Sequence, residues 1–167
     1  MLGMSTMRRL SIAGLLMVTL LSASAAAEVS VRFVAPDRYG ERDYDVTGTR
    51  KGAFGEIRRH LESLGRRYLR PGQHLTIEVL DLDLAGEQQP WRTGWQDIRI
   101  HTGVTWPRIA LRYSLRERGR PAQSGEDVLT DRMYLWNYAA RASSDPLRFE
   151  KALLTDWFQR RFARQGR

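Results

Sequence analysis

Residues 75–84 read LTIEVLDLDL, and this stretch decides the fold of the chain. Its apolar side chains alternate with polar ones, which is the pattern of a β-strand with one buried face. One face of the strand carries Leu75, Ile77 and Val79. The alternation then shifts by one position, so the other face carries Leu80, Leu82 and Leu84. A strand that changes its apolar face contains a bulge, or different layers cover its two ends.

The segments around this strand predict an α+β fold. Further strands are expected over residues 29–33, 97–101, 107–115 and 121–131. Residues 51–69 carry an apolar stripe at spacings of three and four, which predicts an amphipathic helix. A second such helix is expected to begin at Asp145 as its N-cap, with Pro146 at the first helical position. We therefore expect two helices packed on a mixed or antiparallel sheet of four to five strands.

The first 27 residues have the layout of a secretory signal peptide. Its parts are, in order, Arg8 and Arg9, the apolar residues 10–21 and the small-residue cleavage site AAA at 25–27. The apolar part is too short to span a bilayer as a stable helix. We expect cleavage before Glu28, which leaves residues 28–167 as a single α+β domain in a bacterial periplasm.

The chain has no cysteine, and this excludes several classes of protein. A structural disulfide, a thiolate zinc site and a cysteine nucleophile all require that residue. A bacterial lipoprotein also requires a cysteine directly after the apolar part of its signal. The sequence therefore predicts a released protein that does not span the membrane after cleavage.

The chain is basic, with a formal net charge of +8, and all but two of its 27 cationic residues are arginine. Loss of Arg8 and Arg9 with the signal leaves about +6 on the mature chain. This charge favours anionic neighbours. Because a secreted protein seldom meets nucleic acid, we expect an envelope protein, an anionic lipid or a glycan as the partner, and no nucleic acid.

Asp81 and Asp83 form the one local group that suggests a metal site. Alternate residues of a strand point to the same side, so their Cβ atoms lie ~6–7 Å apart. Paired carboxylates bind hard cations such as Ca²⁺. In this pattern Glu78 falls on the opposite face, while Asp127 and Asp131 complete a cluster if their strand is adjacent. The alternative is structural, with each aspartate paired to an arginine.

Other chemistry-bearing residues give weaker signals. The three histidines, His60, His74 and His101, have no metal-ligand spacing. No nucleophile-elbow, zinc-protease or phosphate-binding glycine motif occurs, so the sequence favours a non-enzymatic protein without a cofactor. Trp91, Trp95 and Trp106 lie in or beside loops, where they form a sugar-stacking platform or close the edge of the core. Trp136 and Trp157 are expected in the core.

Four ordered segments resemble a bacterial family known as domain of unknown function 3016. They are LTIEVLDLDLAGEQQPW, WPRIALRYSL, LTDRMYLWNY and FEKALLTDWFQRRF, and the resemblance covers roughly residues 29–162. It implies a secreted proteobacterial protein and supplies no activity, cofactor or catalytic residue. The function we expect is a non-enzymatic binding or accessory protein of the cell envelope. The alternatives are a metal-dependent protein using Asp81 and Asp83, and a glycan binder using the loop tryptophans.

Overall fold

A four-stranded mixed sheet is the centre of the fold. The computed structural model describes residues 26–39, 47–88 and 99–163. The sheet has the strand order β1-β2-β5-β6, in which β1 and β2 are parallel and the other pairs antiparallel. Its strands are β1 (Glu28–Phe33), β2 (Gln73–Asp83), β5 (Arg108–Glu117) and β6 (Gln123–Thr130). A separate two-stranded ribbon pairs β3 (Glu87–Gln88) with β4 (Arg99–Ile100).

Helix α1 (Thr47–Tyr68) connects the parallel strands β1 and β2, as such a pair requires. Gly65 lets this helix approach β1 closely, because a Cβ at that position would overlap the side chain of Val29. Helix α3 (Arg148–Phe162) packs beside α1 on the same side of the sheet. His60 of α1 joins the two helices, with its Nε2 3.0 Å from the Lys151 carbonyl oxygen and 2.9 Å from Thr155 Oγ1.

One apolar core lies between these helices and the sheet. Its largest fully buried residues include Ile57, Leu61, Leu75, Ile77, Ile109, Leu111, Leu154 and Phe158. A smaller cluster forms at one end of the molecule from Ala85, Tyr134, Ala140 and Phe149. Tyr134 belongs to a 3-10 turn, Tyr134–Trp136, which precedes the short helix α2 (Tyr138–Arg141).

The phase change in β2 is a β-bulge at Leu80. Val79 pairs with Leu111 and Asp81 pairs with Ala110, so Leu80 is an extra residue in the ladder. The carbonyl of Val79 accepts the Val34 N–H at 2.9 Å and the Tyr39 hydroxyl at 2.7 Å. Burial raises the pKa of Tyr39 to about 12. These bonds satisfy a backbone carbonyl next to the bulge, where the ladder is interrupted.

The predicted α+β class is confirmed, and so are the central strand, its bulge and the two helices packed on the sheet. The predicted start of the second helix is wrong by two residues. Asp145 Oδ1 accepts the Leu147 N–H at 2.8 Å in a turn that precedes α3, and Leu147 is the N-cap. Trp157 is buried as predicted, whereas Trp136 is exposed. No helix in the part of the chain that the structure describes is long and apolar enough to cross a membrane. The predicted signal peptide at residues 1–27 lies almost entirely outside the described residues.

Candidate functional site

The face of the sheet turned away from the helices is open and polar. Because the bulge adds one residue, Leu82 returns to the helix-covered face, where it pairs with Ile109. Asp81 and Asp83 consequently lie on the open face. Glu78 lies on this face too, paired with Arg112. The expectation that Glu78 and the aspartates occupy opposite faces is therefore wrong.

Arg108 holds the two aspartates on this face. Its Nη1 lies 2.5 Å from Asp81 Oδ2 and 3.9 Å from Asp83 Oδ2. Burial and the negative charge of Asp81 raise the pKa of Asp83, and Arg108 only partly opposes them. The arrangement is a carboxylate pair bridged by one guanidinium, in which Asp83 has the weaker ion pair.

A row of alternating charges crosses all four strands of the open face. It consists of Arg32, Glu78, Arg112 and Glu126, in strand order. Glu78 pairs with Arg32 and, at 3.2 Å, with Arg112, and Arg112 lies 2.6 Å from Glu126. The hydrogen bond from Arg32 and the charges of both arginines lower the pKa of Glu78. Opposite charges on directly neighbouring strands stabilise a sheet.

The structure does not bring Asp127 or Asp131 to Asp81 and Asp83. Asp127 lies on the helix-covered face, where it accepts hydrogen bonds from the Trp157 indole at 2.9 Å and from Arg161 at 2.6 Å. Burial raises the pKa of Asp127, but these bonds outweigh it and leave the pKa lowered. Asp131 follows β6, and its Oδ1 accepts the Met133 N–H at 2.8 Å. The described residues contain no group of three or more His, Asp or Glu residues placed to hold a metal ion.

Of the three tryptophans predicted to form a sugar-stacking platform, only Trp106 is among the residues that the structure describes. Trp106 is half-buried against the smaller cluster, with the guanidinium carbon of Arg132 4.8 Å from its ring centroid. This contact is a cation–π interaction. Trp91 and Trp95 lie outside the described residues. The glycan hypothesis therefore stays a prediction.

A buried polar network at the smaller cluster was not predicted. Arg99 donates to three successive carbonyls, those of Leu84, Ala85 and Gly86, at 3.3, 2.9 and 2.7 Å. Glu150 of α3 is 1% exposed, and its Oε1 accepts the Ala85 N–H at 2.7 Å. The sequence does carry a signal for this network. Glu150 precedes Leu153 and Leu154 by three and four residues, which places a charge on the apolar stripe of a helix.

His101 packs beside this network through its ring. Its ring meets the rings of Phe149 and Tyr134 edge to face, with centroids 5.0 and 6.0 Å away. Burial lowers the pKa of His101 to about 4, and the positive charges of Arg148 and Arg99 act in the same direction. The imidazole is therefore neutral at neutral pH. The network holds the turn after β2 against α3 and so has a structural role.

These features define a two-layer α+β protein whose helices cover one face of a mixed sheet and leave a polar face open. The chain belongs to the family described as protein of unknown function (DUF3016), whose model matches residues 27–160. A search of the curated proteins found no match. Among solved structures, the chain is similar to a minor lipoprotein from Acinetobacter baumannii, determined at 2.35 Å, with 10% identity and a TM-score of 0.27. The alignment covers 84% of this chain and 93% of that chain, but a TM-score this low does not establish a shared fold.

Proposed function

We propose that the protein is a secreted, periplasmic binding or accessory protein of the cell envelope, without enzymatic activity, that recognises its partner through the open face of the sheet. The single observation that carries this proposal is the uncovered face. None of its side chains on the four described strands is buried, and charges of both signs alternate across it. Such a surface offers hydrogen-bond donors and acceptors to a polar partner.

Two carboxylates of the sheet, Glu78 and Asp127, have a structural role. Catalytic acids and bases usually have pKa values tuned toward the working pH. Hydrogen bonds and ion pairs instead lower the pKa of Glu78 and Asp127, which fixes both as anions. Their contacts also hold the strands and α3 in place. Export is supported by the predicted signal at residues 1–27, and the basic charge suits an envelope rich in anionic groups.

Fractionation of cells that express the full chain tests the location. We expect the protein in the osmotic-shock fluid, with Glu28 at its N-terminus. Deletion of residues 8–21 is the matched control and should hold the protein in the cytoplasm. Recovery of an uncleaved chain in the cytoplasm would contradict the proposed location.

Pull-down from envelope extracts tests the open face. The variant Arg32→Gln/Arg112→Gln removes both cations from the charge row, and Arg66→Gln/Arg160→Gln makes the same change on the exposed helix surfaces. We expect the first variant to lose the captured partner and the second to retain it. Equal capture by both would show that the open face is not the recognition surface. Both variants should stay folded, because exposed ion pairs contribute only ~0–1 kcal/mol each.

A metal-dependent protein is the second candidate, and the placement of Asp81 and Asp83 on one open face favours it. Asp81 and Asp83 repel one another on the same face, and a divalent cation would relieve that repulsion. Calorimetry with Ca²⁺, Mg²⁺ and Zn²⁺ decides the question. Binding that is lost in Asp81→Asn/Asp83→Asn and retained in Asp37→Asn, an exposed aspartate in another turn, would establish the site. Absence of heat in the wild type would exclude these metals.

A further inference from the structure

Exposed apolar side chains gather at one end of the molecule. The described residues include five exposed large hydrophobic side chains, and four of them are between 64% and 70% exposed on two short segments. These four are Val104, Met133, Trp136 and Tyr138. Together with Arg132 and Arg141 we call them the tip surface. Soluble proteins rarely leave such side chains grouped in water unless the group serves an interaction.

Contacts between the two segments place them side by side. The Gly103 N–H donates to the Tyr134 hydroxyl at 3.4 Å, and a Cβ at Gly103 would lie 3.4 Å from Leu135 Cδ1. Arg132 covers the ring of Trp106, which follows Val104 by two residues. Both segments adjoin the end of the sheet at which β5 begins and β6 ends. The exposed side chains therefore lie at one end and not along the open sheet face.

The backbone of the second segment fixes the outward direction of its side chains. The Trp136 N–H donates to the Met133 carbonyl at 2.8 Å, which closes the 3-10 turn. Asn137 Oδ1 accepts the Ala140 N–H at 3.0 Å and caps α2. Tyr134 points into the smaller cluster and is 1% exposed, so Met133 and Trp136 on either side of it project outward. The hydrogen-bonded backbone of the 3-10 turn and α2 therefore keeps Met133 and Trp136 exposed.

The charge of the tip surface is positive. Arg132 and Arg141 are exposed at its two ends. Asp131 keeps its negative charge beside Arg132, so residues 131–141, with two arginines and one aspartate, carry a net charge of +1. Asp145, the next acidic residue along the chain, lies 2.5 Å from Lys151 Nζ. Tryptophan and tyrosine favour the interface between lipid and water, and arginine is attracted by anionic head groups.

We infer that the tip surface binds the surface of an anionic phospholipid membrane, with Met133 and Trp136 entering the head-group region. This inference rests on the proposed envelope location, because an exported protein meets such a surface continuously. It adds a second contact, separate from the open sheet face. Membrane adsorption through the tip would leave that face free for another partner.

Sedimentation of the mature protein with lipid vesicles tests the inference. One vesicle preparation contains phosphatidylcholine alone, and the other contains phosphatidylglycerol as well. We expect binding only to the second, weakened by added salt. Met133→Ser/Trp136→Ser should lower the partition coefficient at least about tenfold. Val128→Ser, which removes an exposed apolar side chain from the open face, should leave it unchanged.

Variants that remove arginines from the tip surface test the electrostatic part of vesicle binding. Arg132→Gln/Arg141→Gln should weaken binding about fivefold per arginine at low salt. The matched control, Arg116→Gln/Arg118→Gln, removes two exposed arginines at the far end of β5 and should weaken it less. Circular dichroism and thermal melting confirm that each variant is folded.

Three results would overturn the inference. They are no binding to anionic vesicles, equal binding by the tip variants and the wild type, and self-association that Trp136→Ser abolishes. The last would make the tip an interface between two copies of the chain. None of these results changes the outcome of fractionation or of the sheet-face pull-down, so failure here is distinguishable from failure of the proposed function.

Discussion

The buried Oε1 of Glu150 accepts the Ala85 N–H at 2.7 Å, joining the first turn of α3 to the turn that follows β2. Ala85 is fully buried, so no water replaces this bond when the carboxylate is removed. Glu150→Ala should therefore lower the free energy of unfolding by at least ~1–3 kcal/mol, the cost of an unsatisfied buried donor. Urea denaturation measures this loss. Asp156→Ala removes an exposed carboxylate from the same helix and should cost within about 0.5 kcal/mol. Equal losses in the two variants would contradict the structural role of Glu150.

Gly86 is required for its positive φ and for the lack of space for a Cβ. Gly119 has a positive φ but enough space, so a comparison of the two separates these causes. Both glycines have positive φ, 78° and 76°, where an alanine costs ~1–2 kcal/mol. A Cβ at Gly86 would also lie 2.7 Å from the Ile100 carbonyl oxygen and 2.8 Å from His101 Nδ1, whereas a Cβ at Gly119 meets nothing within 4 Å. Gly86→Ala should destabilise the protein by at least ~1 kcal/mol more than Gly119→Ala, because overpacking adds to the backbone cost. Equal unfolding free energies for the two variants would show that Ile100 and His101 move away from the new Cβ at no measurable cost.

His101 makes the stability of the protein depend on pH. The unfolded chain binds a proton at this residue below about pH 6.5, whereas the folded protein resists protonation until about pH 4. Stability should therefore be complete above pH 6.5 and should fall as the pH is lowered through this window. His101→Phe keeps an aromatic ring without a titrating group. We expect it to reduce the slope of unfolding free energy against pH between 6.5 and 4 and to leave the part that His60 contributes.

The control for this prediction is His74→Gln, which removes an exposed histidine from the open face of β2. It should retain the wild-type slope in the same window. A slope that His101→Phe leaves unchanged would mean that another group causes the acid sensitivity. His60 is the first to test, because burial lowers its pKa also.

Hydrophobic periodicity predicted the elements that form the main core and failed where the chain departs from regular structure. The strands at residues 75–84 and 107–115 and the helix at 51–69 each bury one apolar face, so their pattern was sufficient. The sequence showed the bulge as a phase change but did not show its position. Asp81 and Asp83 were therefore assigned to the face opposite Glu78, whereas they lie on the same face. Trp136 was wrongly predicted to be buried because a single 3-10 turn is too short to show a repeating hydrophobic pattern.

Long-range pairing set a second limit on what the sequence could show. Glu150 stands out as a charge on an apolar helix face, yet its acceptor role depends on Ala85, which lies 65 residues earlier. Asp127 was predicted to complete a cluster with Asp81 only if their strands were adjacent, and β5 lies between β2 and β6. The alternation of β6 instead turns Asp127 toward Trp157 and Arg161 on the helix-covered face. Strand order and facing had to be known before these carboxylates could be assigned.

The bulge at Leu80 gives a direct test of the register of β2. Removal of Leu80 places Asp81 directly after Val79, so the strand then alternates without interruption and every apolar residue keeps its face. ΔLeu80 should therefore unfold cooperatively, with a loss below ~3 kcal/mol, the upper value for burying one leucine side chain. ΔArg112 removes a residue from the regular ladder of β5 and brings Leu111 and Tyr113 into succession. That deletion turns half of the strand's apolar side chains outward and should abolish cooperative unfolding in urea. Loss of folding in ΔLeu80, or survival of ΔArg112, would show that the ladder can slip and that the bulge does not set the register.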